Sequence, residues 1–477
     1  MSPATPPSPA QPKRRLGALL VLLAIAAAIS AGIWGYSDWL RRRNNEIGTY
    51  IPKRSVITPE IRLLQQYVRI DTSNPPGREL AGARFLAGIL ERNGVRAEII
   101  ESAPGRGNLY ARIRGRRSGE GLLLLHHIDV VPARPAGWSH PPFSGDIGLN
   151  MLFGRGSLDM KGIGICYLAA FLDVARSRKQ PERDLVFLAV SDEEEGGALG
   201  TAWLLEHRPD IFEGIAYALN EGGITETQQE QLTYFGIEIG SKQAVKTVLR
   251  APARESLLRT RIALEPFFAP RDPDRVLPEV KRFLREIAPL RTEQSDRLID
   301  VDRTIAEGKF WLLPRGYREL TQNVVWAEGV SPDGHGGYEM MTYLFNLPDE
   351  QPDERVAWLE RYVAPFGVHV EVLRKSGPTP LSPEDSPMFA LLAQEARHEY
   401  GKVPVGSEIL SVSYSDSRFI RQRGIACYGL FPFPVDFFQT QGIHGIDERI
   451  RLDWFAHGVA MTRRVVARWA DGEAPSP

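Results

Sequence analysis

The most constraining feature of the chain is an acidic run, Asp192-Glu193-Glu194-Glu195, placed directly after a segment, 185–190, that reads as a strand. Four carboxylates in a row repel one another. On a surface helix such a run is a solvated face. At the end of a buried strand it requires cations nearby, or carboxyl pKa values moved upward. A metal ion supplies that compensation, and a neighbouring carboxylate can then work as a general base. Global composition hides the demand, because 58 Lys plus Arg stand against 59 Asp plus Glu. The near-zero balance argues against a nucleic-acid partner, which would call for a basic excess. The two cysteines, Cys166 and Cys427, form no CxxC pair, which excludes a disulfide scaffold and a thiolate zinc site.

The chain alternates strand and helix patterns around this run. Leu122 to Leu125 is a continuous apolar stretch of the buried parallel type. Met160 to Arg176 has helical spacing, the strand at 185–190 follows, and another strand is expected at 215–219. Such alternation predicts an α/β fold, with a mixed sheet flanked by helices. The texture changes at 243 and reverts near 370. We therefore expect a catalytic domain in two parts, 55–242 and 371–477, interrupted by a smaller α+β lid at 243–370.

The amino-terminal end reads differently. Residues 1–15 form a proline-rich tail ending in Lys13-Arg14-Arg15, and 16–40 is expected to be a transmembrane anchor. The apolar run from Leu16 to Tyr36 spans about 30 Å as a helix, the thickness of a bilayer core. Trp34, Tyr36 and Trp39 sit where interfacial aromatics belong, and Arg41 to Arg43 close the run. A cleaved signal peptide is the rival reading. Both export readings place the body outside the cytoplasm, in a periplasm or lumen, while three basic residues on each side of the run leave a cytoplasmic-facing body as the alternative. A mean hydropathy of −0.23 excludes a polytopic membrane protein.

Four further features stand just past expected strands or at a helix start. His127-Ile128-Asp129 follows the 122–125 run, and residues i and i+2 share a strand face, so Asp129 can orient His127. Asp159, in Gly154–Gly162, opens a helix. Glu221 follows the strand at 215–219, and His444 comes after the last expected strand. Singly, each has an ordinary structural reading: a strand-end histidine, a capping aspartate, a turn. Together they gather at the carboxyl edge of a sheet, where open α/β folds build their sites. Two histidines with several carboxylates suit zinc, and this many carboxylates suggests two ions.

The motifs LLLLHHIDVVPA, GRGSLDMKG, SDEEEGG, LNEGG, SYSDSRF and IHGIDER occur in the order of a known family. The chain resembles the di-zinc aminoacylase, carboxypeptidase G and acetylornithine deacetylase family of metallopeptidases, nearest its carboxypeptidase S-like, N-acyl-amino-acid hydrolase branch. The resemblance implies two Zn(2+) ions. His127, Asp159 and Glu221 would hold one, and Asp159, Glu194 and His444 the other, with Asp159 bridging. Glu193 would be the general base and Asp129 would steer His127. The implied substrate is an N-acyl amino acid or a short peptide.

The match breaks in the lid. A Gly-His-x-Ser loop, whose histidine binds the oxyanion in the family, is replaced by Leu249 to Ser256, and an Asp-x-Arg pattern is absent before Leu347-Pro348. The break leaves a lid-mediated homodimer open. His335, in a Gly-rich turn, is a candidate replacement donor, and Arg418 is a candidate for the substrate carboxylate. The altered lid also motivates a second reading, a protein that binds peptides or acyl-amino acids without cutting them.

Overall fold

The computed structural model describes residues 56–473, apart from 224, 229–230, 269–274, 292–293 and 411–414. The expected tail and anchor at 1–40 lie outside the described residues. Among the described residues, no helix is long and apolar enough to cross a membrane.

A nine-stranded mixed sheet organises the molecule. Its centre is the strand Arg117–His127, which pairs in parallel with Arg183–Val190 on one side and Ile215–Asn220 on the other. Ala426–Gly429 extends the parallel set beyond Ile215–Asn220. The edge strands Ala97–Ala103 and Arg106–Ile113 run antiparallel. The centre is parallel because its strands are apolar on both faces and so need cover on both. Arg183–Val190 is buried along its whole length. Side chains alternate across the pleat. Leu122 and Leu124 join a core with the helices Lys161–Arg176 and Leu452–Ala470, while Leu123 and Leu125 join a second core with Leu204 and Ile420. Parallel strands end together, so His127, Asn220 and the turn after Val190 share one edge.

A five-stranded sheet stands apart from the first. Gln243–Ala251 lies between Tyr338–Asn346 and His369–Lys375, and Val324–Ala327 flanks Tyr338–Asn346. Helices Arg254–Leu264 and Pro352–Val363 cover one face, burying Leu257, Leu264, Val356 and Leu359 against Val245 and Leu249. Lys242, at the junction of the sheets, is fully buried and donates to the Glu319 and Gln322 carbonyls. Burial pushes its pKa down to about 7.

The expected lid start at 243 coincides with the first strand of this second sheet, but the expected end at 370 falls inside its last strand, which runs on to Lys375. The expected boundaries also take in a segment that packs elsewhere. The helix Pro278–Ile287 has one apolar stripe, Val280, Phe283, Leu284 and Ile287, at i, i+3, i+4 and i+7. That stripe, with Leu298 and Phe310, belongs to the core of the large sheet, and Phe283 meets the ring of Tyr234 at 5.7 Å.

Candidate metal centre

The acidic run, read as one feature in the sequence, divides into four roles. Asp192 takes a positive φ of 71°, which aims its carboxylate inward. There it pairs with Arg106 at 3.1 Å and accepts from the Leu199 amide at 2.9 Å. Glu193 and Glu194 turn toward the strand ends of the sheet. Glu195 is exposed.

His127 is the buried anchor of the cluster. Its Nδ1 lies 2.9 Å from the Asp129 carbonyl oxygen, which can only accept, so Nδ1 carries the proton and Nε2 points outward. Nε2 stands 3.0 Å from Asp159 Oδ1 and 3.5 Å from Glu221 Oε2. Asp129 therefore does steer this ring, but mainly through its backbone, since its carboxylate is 3.7 Å away. That carboxylate serves the acidic turn instead. It accepts from the Glu193 amide at 3.2 Å, the Glu194 amide at 3.1 Å and Asn74 Nδ2 at 2.9 Å. The physical reason is direct: two unpaired amides at the start of the 193–194 turn are better partners for a buried anion than a ring already satisfied by a carbonyl.

His444 approaches from the other side on a loop with a positive φ of 57°. Its Nε2 lies 3.0 Å from Asp159 Oδ2 and 3.1 Å from Glu194 Oε2. Asp159 thus presents one oxygen to each histidine. Ligand atoms of His127, Asp159 and Glu194 fall within 4.8 Å of one another, as do those of His127, Glu193 and Glu221. The structure brings together all six residues expected to bind metal or act as base.

The electrostatics follow from crowding. Burial and then Glu221 push Glu193 well above the usual carboxyl range, and burial lifts Glu221 to about 7. Glu194 is raised by burial and by Asp159. Hydrogen bonds donated to Asp159 and Glu194 lift the pKa of His444 to about 11. Burial opposes charge on His127, but Glu221 and Asp159 outweigh it and hold its pKa well above normal. Burial likewise opposes charge on Asp159, and the two histidines overcome it. Each Nε2 faces only carboxylate oxygens, so a proton or a metal cation must stand between them. Glu193 Oε1 and Glu194 Oε1 are buried and have no hydrogen-bond partner among the described residues. Imidazole nitrogens, carboxylates and orphaned oxygens of this kind fit zinc.

Three residues that shape the site carried no signal of their own. Glu448 is fully buried and accepts from the Leu158 amide at 2.8 Å, the Asp159 amide at 3.1 Å and Arg155 at 2.6 Å, tying the Asp159 turn to the His444 loop. Asn74 bridges Asp129 and Asp192. Asp416 accepts from Thr201 at 2.6 Å beneath the acidic turn.

The two expected substrate contacts are placed differently. Arg418 is 1% exposed and donates to the Ser415 and Gly196 carbonyls, both at 2.9 Å. It braces the acidic turn from below through these two carbonyls. His335 is exposed on the 333–337 turn, where Asp333 accepts from its amide. The turn leads into Tyr338, which pairs with Ala251, whereas Gln243 at the junction pairs with Asn346. Eight residues of strand, roughly 26 Å, separate the two ends. His335 therefore stands at the Ala251 end of the second sheet, beside the 249–256 segment that lacks the lid histidine and away from the Gln243 junction.

Peptidase family M20/M25/M40 matches residues 123–468. A Xenopus tropicalis N-fatty-acyl-amino acid synthase/hydrolase, PM20D1, is 25% identical over 351 residues, covering 69% of this chain and 68% of that protein. A succinyl-diaminopimelate desuccinylase of Methylorubrum extorquens is 39% identical over 154 residues, which are 31% of this chain and 38% of that enzyme. Among solved structures, a Sulfolobus solfataricus M20 metallo-carboxypeptidase superposes with a TM-score of 0.67 at 17% identity, covering 86% of this chain and 99% of that one. Human carnosine dipeptidase 1 gives 0.65 at 14% identity over 86% of this chain and 96% of its own. The chain belongs to peptidase family M20/M25/M40 and is a metal-dependent hydrolase of the metallopeptidase and amidohydrolase type.

Proposed function

We propose that the protein hydrolyses the amide bond of an N-acyl amino acid or short peptide with two zinc ions. The carrying observation is Asp159, whose two carboxylate oxygens each lie 3.0 Å from a different histidine. With Asp159, His127 and Glu221 would hold one ion, and Glu194 and His444 would hold the other. Charge supports the number of ions. Asp159, Glu193, Glu194 and Glu221 sum to −4, which two divalent cations balance with both histidines neutral.

Bound there, the zinc ions supply a water of lowered pKa and polarise the scissile carbonyl. Glu193 takes the water proton on its buried, unpartnered Oε1 and returns it to the leaving nitrogen, yielding a carboxylic acid and an amine. Asp129 and Arg418 hold the 193–196 turn in place from opposite sides. The run from Leu16 to Tyr36 supports a membrane anchor with the catalytic body periplasmic or lumenal.

The experiment is a zinc-loaded assay of the full chain against N-acyl amino acids and dipeptides, read by mass spectrometry. Cleavage that requires metal supports the reading, and intact substrates across the panel contradict it. The altered lid segment, Leu249 to Ser256 without a histidine, favours a second reading, binding without turnover. Zinc-dependent binding of an N-acyl amino acid that stays intact on prolonged incubation would establish it.

A further inference from the structure

The two histidines of the metal cluster are held in opposite ways. His127 ends a buried strand, its side chain is 1% exposed, and a carbonyl fixes its ring. The side chain of His444 is 53% exposed, and among the described residues its ring makes two polar contacts, both from Nε2 to carboxylates of the cluster. Packing therefore does not place His444, and its backbone has to. That backbone is left-handed, at φ +57°, a conformation that a residue other than glycine keeps only where its surroundings hold it.

One buried ion pair does the holding. Arg155 is 3% exposed. Its Nη2 donates to the Gly445 carbonyl at 2.7 Å and its Nη1 reaches the Gly442 carbonyl at 3.5 Å, so the guanidinium grips the loop on both sides of His444. Nη1 also donates to Glu448 Oε2 at 2.6 Å. Glu448 accepts in addition from the amides of Gly156 at 2.9 Å, Leu158 at 2.8 Å and Asp159 at 3.1 Å. Four donors fill this carboxylate, which leaves it fixed in one orientation. The Trp138 ring covers the guanidinium at 5.3 Å. Gly442 lets the loop close on itself, since a Cβ there would lie 3.0 Å from Glu448 Cα. A further tie, from the Ser139 amide to Asp447 at 2.7 Å, is exposed. Among the described residues, neither Arg155 nor Glu448 hydrogen-bonds to His127, to Glu221 or to the strands that lead to them. The fork is essential to this arrangement: a lysine at 155 would carry the charge but could not hold a carboxylate and two carbonyls in one plane.

We propose that Arg155, braced by Glu448, is the positioning residue for His444, and that it governs binding of the ion that Asp159, Glu194 and His444 would hold without governing the other. The assignment rests on the two-zinc reading above. It gives the two sides of the Asp159 bridge different supports, a buried strand end on one and an arginine clamp on the other.

The test measures zinc affinity by competition with a chromogenic chelator, on the full chain, in the wild type, Arg155→Lys, His444→Ala and the double variant. Arg155→Lys should weaken one of the two ions roughly 10- to 100-fold, the usual cost of losing a residue that orients a metal ligand, and leave the other unchanged. In the His444→Ala background the same substitution should have no further effect on the ion that remains. Excess zinc should restore most of kcat to Arg155→Lys. Equal affinities in Arg155→Lys and the wild type, an equal loss at both ions, or a loss that persists in the His444→Ala background each overturns the proposal and leaves the two-zinc reading intact. A second measurement needs no variant. Hydrogen exchange in peptides spanning 439–448 should show the same protection in metal-free and zinc-loaded wild type, because Arg155 holds the loop before metal arrives. Protection that appears only with zinc would overturn the proposal, since the metal would then be what places His444. A wild type that retains no zinc overturns both readings.

Discussion

Buried carboxylates occur in two settings in this molecule, and they are compensated differently. Glu238, on the strand Gln231–Ser241, meets Arg421 through a two-pronged contact of 2.8 and 2.6 Å, with both side chains buried. Arg421 spends its remaining donors on Ser382 and the Cys427 carbonyl. That set is closed: one negative charge, one positive charge, and partners for the rest. At the carboxyl edge of the same sheet, four carboxylates face two imidazoles, and two carboxylate oxygens have no partner among the described residues. With all four carboxylates ionised, the sum would be −2 even with both histidines protonated. A closed set holds a fold together. An open set is stable only with something added, and here the addition is cationic.

The sharpest way to break this comparison is to remove one member from each set. Glu193→Gln should lower kcat by roughly 10²–10⁴-fold, the usual worth of a general base, with metal content unchanged by elemental analysis. If turnover survives, Glu193 is not the base. Arg421→Met leaves Glu238 buried without its cation and should cost about 3–5 kcal/mol in urea unfolding, with zinc binding unaltered in the protein that remains folded. Pairing it with Glu238→Leu should recover most of that loss.

The open set should respond with the opposite sign. In a chelator at pH 8, Glu221→Gln removes one of the crowded carboxylates, so it should stabilise the metal-free protein, by about 1 °C in Tm for each kcal/mol relieved. With zinc present, the same change should weaken binding. A drop in Tm under both conditions would show that Glu221 belongs to a closed set.

Glu286 provides the smallest effect. It is half-buried on the helix Pro278–Ile287, and burial, then the nearby Glu384, raises its pKa to about 7 from an ordinary 4.5. The folded state therefore holds a proton more tightly than the unfolded chain does. The stability this contributes is full below about pH 4.5 and is lost as pH rises through about 7. Glu286→Gln should leave Tm unchanged at pH 4 and raise it slightly at pH 8. Equal shifts at both pH values would contradict the assignment.

Much of the site was legible in the sequence, because metal ligands follow buried strands and buried strands are apolar runs. His127 after Leu122–Leu125, Glu193 and Glu194 after 185–190, and Glu221 after 215–219 all follow that rule. What was not legible is the work of side chains on backbone. Nothing in a one-dimensional pattern says that the Asp129 carboxylate serves the amides of 193 and 194 while its carbonyl holds the His127 ring. Glu448 lies in a motif noted for His444, yet its partners, the turn at 156–159 and Arg155, are about 290 residues away in the chain. The fold shows the same division. The stripe on 278–287 announces a helix, but which core it joins depends on tertiary packing, and it joins the large sheet and not the small one. Arg418 is a candidate for the substrate carboxylate because an arginine fork suits carboxylates. Its burial beneath the acidic turn gives it carbonyls instead.

Two divalent cations held around Asp159 would close the open carboxylate set. The most direct measurement is zinc stoichiometry by elemental analysis, on the wild type and on His444→Ala and Asp159→Ala after equilibration with zinc and removal of excess. The account expects two equivalents in the wild type, one in His444→Ala and none held tightly in Asp159→Ala. A wild type that retains no zinc, or an Asp159→Ala protein that retains as much as the wild type, would contradict it.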